Sequence, residues 1–207
     1  APTPETAIRP VTEVLHGVTL TDAYRWLEDQ TSPATRAWID SQMKHTRAML
    51  DPLTQRAALK QRLTGLMRTE QVNLPQEHGG RYFYSRRGAG ENRASICMRR
   101  SLHGADEVLV DPASVSKDES VSVELQDVTA DGKVVAYSVR QGGADEIEIF
   151  FLDVESKALL PDRVAKGFFI SVQLLPDHSG VYLAELNPAG PRVYFRPLGS
   201  DRAELMP

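Results

Sequence analysis

The chain carries serines, histidines, acids and one cysteine, but not at spacings that assemble a reaction centre. It has no Gly-x-Ser-x-Gly, the pentapeptide that lifts a serine onto a strained strand-to-helix turn beside oxyanion-binding amides. It has no His-Glu-x-x-His, so the helical zinc site is missing too. The five histidines stand at 16, 45, 78, 103 and 178. None has a second histidine three or four residues away to complete a metal-ligand pair. Gly88-Ala89-Gly90 runs into Glu91-Asn92-Arg93, which completes neither a dinucleotide fingerprint nor a phosphate loop and reads as a hairpin loop. Cys97 is the only cysteine, so no internal disulfide can form. It lies in an apparent strand, SICMRR, where a packed thiol is expected rather than a nucleophile. The residues thus predict no catalytic group, no metal and no cofactor within the chain.

Charge narrows the partners. Lys and Arg number 24 against 28 Asp and Glu, a formal net charge of −4, and the acidic excess lies after residue 72. A nucleic-acid backbone needs a positive footprint, so that class is set aside. Arg86, Arg87, Arg93, Arg99 and Arg100 cluster locally, but they fall on two apparent strands and their loop and read as a solvated hairpin face. No apolar run approaches the roughly 18 residues of a membrane span, so no membrane is expected as a partner. The sequence starts at Ala1 rather than Met. The expected compartment is cytoplasmic, with a periplasmic or secreted home as the alternative if a signal peptide has been removed.

Helices and then strands must position whatever this chain does. The first ten residues hold three prolines and read as an extended arm. Ser32 before Pro33 is a helix start, followed by Trp38, Ile39, Met43 and Leu50 on one face. Asp51-Pro52 repeats the start signal before a second stripe of Leu59, Leu63, Leu66 and Met67. The texture changes over Val72–Gly80. Short strands are then predicted at 81–86, 95–99, 107–110, 121–128, 134–139, 146–154, 169–174, 181–186 and 192–196.

The strands repeat. A polar turn enters an aromatic-containing strand in HGGRYFY, ADGKVVAY and DHSGVYLA, so that Gly80, Gly132 and Gly180 recur roughly every 50 residues. That period fits propeller blades, four-stranded sheets that must stack to cover their faces. About two and a half to three such units fit here, whereas a closed propeller needs at least about four. The expectation is an amino-terminal piece of a longer protein, with residues 1–72 and 73–207 as its two parts.

Thr21–Asp29, TDAYRWLED, supplies a more specific clue. Together with His16-Gly17 upstream and a following helix containing Gln42-Met43-Lys44, it resembles the opening of the prolyl oligopeptidase family of serine peptidases. Arg81–Tyr84 (RYFY), Asn92, Val110-Asp111-Pro112 and, more loosely, Ser138–Ile149 resemble its blade sequences. Ala23 departs from the proline usual in the family. Glu28 matches the WLED form of prolyl oligopeptidases rather than the WLRD form of oligopeptidase B.

This resemblance implies an α/β-hydrolase domain, to which the helical segment 1–72 would belong, and an inserted seven-bladed propeller, of which 73–207 would be the first blades. It implies cleavage of short proline-containing peptides after proline through an acyl-enzyme, without a cofactor, with the propeller gating access. The Ser–His–Asp triad would lie beyond residue 207, leaving this stretch inactive alone and reliant on the remainder of its own polypeptide. Phe169 falls where the family has a substrate-pocket phenylalanine, and a core role at a strand start is the competing reading. A non-catalytic propeller module binding peptides or glycans, or a pseudo-enzyme with a degenerate triad, is the alternative to an active peptidase.

Overall fold

The computed structural model describes residues 2–187, 190–200 and 202–207, without the side chains of Ala165 and Ile170. Ala1, on which the alternative compartment rests, and Asp201, in the third repeat, lie outside the described residues. The chain forms two compact units, residues 1–66 and 67–207.

The first unit begins with an antiparallel hairpin, β1 (Val11–Leu15) and β2 (Val18–Asp22). Its turn places His16 at φ 51° and Gly17 at φ 80°, the left-handed pair that a two-residue hairpin turn requires. The sequence reading assigned no strands here. A short 3-10 turn, Arg25–Leu27, leads into α1 (Pro33–Leu50). Ser32 caps α1 as expected, its hydroxyl accepting from the Thr35 amide, with Pro33 at the first helical position. The next helix, α2, spans Gln55–Met67. Asp51 does not open it, because the Asp51 amide donates to the Arg47 carbonyl and closes α1.

The proline-rich arm is held rather than loose. The Trp26 indole donates to the Ala7 carbonyl at 2.9 Å, and the Trp38 indole donates to the Thr6 hydroxyl at 2.9 Å. The Gln42 amide donates to the Pro4 carbonyl. Trp26 is half-buried, and Leu59, Leu63, Leu66 and Met67 of the second stripe are exposed.

The second unit is built from antiparallel sheets. In the first, β5 (Arg81–Arg87) pairs with β3 (Gln71–Val72), β4 (Gln76–His78) and β6 (Ser95–Arg99), and β6 pairs with β7 (Glu107–Val110). A single helical turn, α3 (Pro112–Val115), follows, with Asp111 accepting from the Ala113 amide. The second sheet runs β8 (Ser122–Val128), β9 (Val134–Arg140), β10 (Ile147–Asp153), β11 (Leu159–Gly167). The third runs β12 (Phe169–Leu174), β13 (Gly180–Asn187), β14 (Gly190–Pro197), β15 (Glu204–Leu205). The strands are joined as simple meanders, which keeps consecutive elements adjacent.

The middle sheet explains the apolar runs in the sequence. Side chains alternate across a strand, and here both faces are covered. Val135, Tyr137 and Leu152 face a core shared with Phe83, Ile96 and Met98 of the first sheet. Val134, Ala136, Ile149 and Phe151 face a second core shared with Val172, Leu174, Val181 and Leu183 of the third. Every residue from Val134 to Ser138 is therefore buried, as a strand covered on both sides demands.

The three repeated turns meet at the seams between sheets. A Cβ on Gly79 would stand 2.2 Å from the Asp131 carbonyl oxygen, and one on Gly132 would stand 2.5 Å from that of His78. The first and second turns therefore touch backbone to backbone. Arg81 donates to the Gly132 carbonyl at 3.1 Å and pairs with Glu155, which also takes Arg100. At the next seam, His178 Nε2 lies 3.0 Å from Asp131 Oδ1, and the Leu174 amide donates to Asp127 at 2.6 Å. His178 is thus engaged with the neighbouring turn. Burial tends to raise the Asp131 pKa, yet donors from Thr129, His178 and Lys133 outweigh it and hold the carboxyl well below its usual range.

Candidate functional site

Phe169, the one residue the sequence nominated for substrate contact, opens β12. It lies across the ladder from Glu185 of β13. Its ring is half-buried and rests against the second core. Gly167 has no side chain, and the ring fills that space: the Phe169 ring edge and Glu185 Oε1 each lie 3.0 Å from where a Gly167 Cβ would stand. An open cleft of about 300 Å³ adjoins the ring, lined by Lys166 of β11, Leu183 and Glu185 of β13, and Tyr194 and Arg196 of β14. Phe168 beside it is exposed.

The charges of this cleft come from three strands. Lys166 lies 3.4 Å from Glu146. Arg196 is nearly buried and donates to the carbonyls of Arg163 and Ser200, with Asp162 at 4.0 Å. Two aromatic rings, two cations and a carboxylate around an apolar floor can hold a peptide segment, since such sites combine apolar surface with a few placed polar groups. The sequence reached Phe169 only through a family resemblance. Lys166, Glu185, Tyr194 and Arg196 were missed, because only the pairing of β12, β13 and β14 beside β11 collects them.

The other nominated chemistry is structural. Cys97 is buried on β6, and burial pushes its thiol pKa up, away from an activated thiolate. The arginine cluster is tied into the fold. Arg86 pairs with Glu70, Arg99 with Asp106, and Arg100 with Glu107. Arg93 Nη1 lies 3.0–3.4 Å from the carbonyl oxygens of Pro112, Ser116, Asp118 and Val121, and so gathers the loop after α3 around one guanidinium. Gly88–Gly90 forms the loop between β5 and β6, where the Gly88 amide donates to Glu91. Among the described residues no three His, Cys, Asp or Glu side chains converge as a metal site, and no helix is long and apolar enough to cross a membrane.

Comparison with known proteins places this architecture. A prolyl endopeptidase of Elizabethkingia meningoseptica is 29% identical over 97% of this chain and 30% of its own length. Protease 2 of Moraxella lacunata is 25% identical over 72% of this chain and 23% of its own. A solved structure from a mechanistic study of two prolyl endopeptidases superposes with a TM-score of 0.83 and 31% identity, covering 98% of this chain and 32% of that one. Prolyl oligopeptidase B of Galerina marginata, solved with a 35mer substrate, shares the fold at a TM-score of 0.78 and 17% identity. The chain spans about a quarter to a third of the length of these relatives. The family profile described as the prolyl oligopeptidase N-terminal beta-propeller domain matches residues 4–204, and the chain belongs to that family.

Proposed function

We propose that this chain is the amino-terminal part of a serine-type endopeptidase that cleaves short peptides after proline through an acyl-enzyme. In this reading residues 1–72 belong to an α/β-hydrolase domain, and 73–207 supply the first two and a half to three blades of a seven-bladed propeller that gates access. The triad stands outside the 207 residues, and the stretch alone is inactive. Phe169 contacts substrate from the third sheet. The observation that carries the reading is the 31% identity and 0.83 TM-score to a solved prolyl endopeptidase over 98% of the chain. The half-buried Phe169 ring beside an open cleft adds local support.

The full-length parent tests it. A short blocked peptide with an internal proline should be cleaved on the carboxyl side of that proline. A folded protein displaying the same sequence should not be cut, because a gated entrance excludes it. Failure to cleave the short peptide would favour the non-catalytic binding module, and equal cleavage of both substrates would remove the gating role.

A further inference from the structure

We infer that Glu185 is a specificity-determining residue that selects peptides carrying a basic side chain close to the residue seated on Phe169. The inference rests on the reading of Phe169 as a substrate contact and adds the chemistry that this cleft prefers.

The cleft's two cations are both engaged, Lys166 with Glu146 at 3.4 Å and Arg196 with two backbone carbonyls and Asp162. Glu185 differs from them. It has no ion pair or hydrogen bond to its side chain among the described residues. Arg192 stands directly opposite it in the ladder. The Arg192 guanidinium, however, lies toward Gly190 and donates to the Pro191 carbonyl. The uncompensated charge of the cleft is therefore negative.

Position makes that charge useful. Glu185 is half-buried, so its field is less screened than that of an exposed side chain. Its carboxylate shares the space above Gly167 with the Phe169 ring edge, and Tyr194 lies in the same cleft. Aromatic rings beside a carboxylate suit an ammonium or guanidinium, because the ring quadrupole and the negative charge attract the same ligand. An anionic peptide group would meet the one unpaired carboxylate and be repelled.

The test uses the full-length parent and blocked proline peptides that differ only in one residue near the proline. That residue is lysine, norleucine or glutamate, placed at each flanking position in turn. At one or more positions kcat/KM should favour lysine over glutamate by about threefold to tenfold, and added salt should shrink the ratio. Glu185→Gln, nearly isosteric, should bring the ratio to about one, and Glu185→Lys should invert it. A ratio unchanged in Glu185→Gln, or no lysine preference at any position in the parent, would overturn the inference. Phe169→Ala, assayed on the same peptides, isolates the reading beneath it. If that variant keeps full kcat/KM on every peptide, the cleft is not a substrate site. If it weakens all peptides while Glu185→Gln leaves their ratios intact, only the charge selection fails.

Discussion

Replacing Gly132 by alanine should damage the fold far more than the same change at Gly80, although both glycines open repeated strands. Both have positive φ, 70° and 78°, so each alanine incurs the left-handed penalty of about 1–2 kcal/mol. The surroundings differ. A Cβ at Gly80 meets nothing within 4 Å, whereas one at Gly132 would sit 2.5 Å from the His78 carbonyl oxygen and 3.5 Å from the Phe83 ring. The obstacle is backbone of the neighbouring turn, so the two sheets must separate, which adds about 1–3 kcal/mol as overpacking. Gly132→Ala should therefore cost about 2–5 kcal/mol and Gly80→Ala about 1–2 kcal/mol. At about 2–4 °C per kcal/mol for a chain of this size, the melting temperatures separate clearly. Thermal denaturation followed by far-ultraviolet circular dichroism on the two variants and the parent reads this out. Equal shifts would mean that the turns do not meet tightly and that the repeat is only local chemistry.

Other expectations follow from the same contacts. Asp131 titrates lower in the folded state than the roughly 3.9 of an unfolded aspartate, so its contribution is complete above about pH 4 and is lost as pH falls through the lower folded value. Asp131→Asn should accordingly flatten the acid limb of stability measured by denaturation across pH. Trp38→Phe keeps the ring but removes the bond to Thr6; it should cost about 0.5–1.5 kcal/mol and speed amide exchange in residues 4–9. Arg93→Met strips the donor from four loop carbonyls and should speed proteolysis within 112–121; a protease-resistant variant would show that the loop holds itself.

Much of this fold was legible because local chemistry and packing agree. Ser32-Pro33 marks a helix start by side-chain capping alone, and the structure starts α1 there. The runs VVAY and IFFL signal strands because both faces of the middle sheet are covered. What escaped lacks that agreement. Leu159–Gly167 forms β11 despite Pro161, Asp162 and Lys166, held by a ladder whose register shifts twice, and no alternation survives such irregularity. The β1–β2 hairpin is exposed throughout both strands up to Asp22, so no buried face printed a period; His16-Gly17 was its available signal. Asp51-Pro52 misled because proline also commonly follows a helix end, and Asp51 is the C-cap of α1. The glycine repeat was visible, but not that Gly79 and Gly132 meet the adjacent turn. Phe169 was reachable by family likeness, and its companion Glu185 only by strand register.

The central claim, that these residues form the gating and substrate-contacting part of a serine endopeptidase whose nucleophile lies elsewhere in the parent, is tested most directly by covalent labelling. The full-length parent is treated with a serine-directed phosphonate and the adduct is mapped by peptide mass spectrometry. The account predicts one stoichiometric adduct outside residues 1–207, formed as proline-peptide hydrolysis is lost. Stoichiometric labelling of a serine within 1–207, or full hydrolytic activity with no labelled serine, would contradict it.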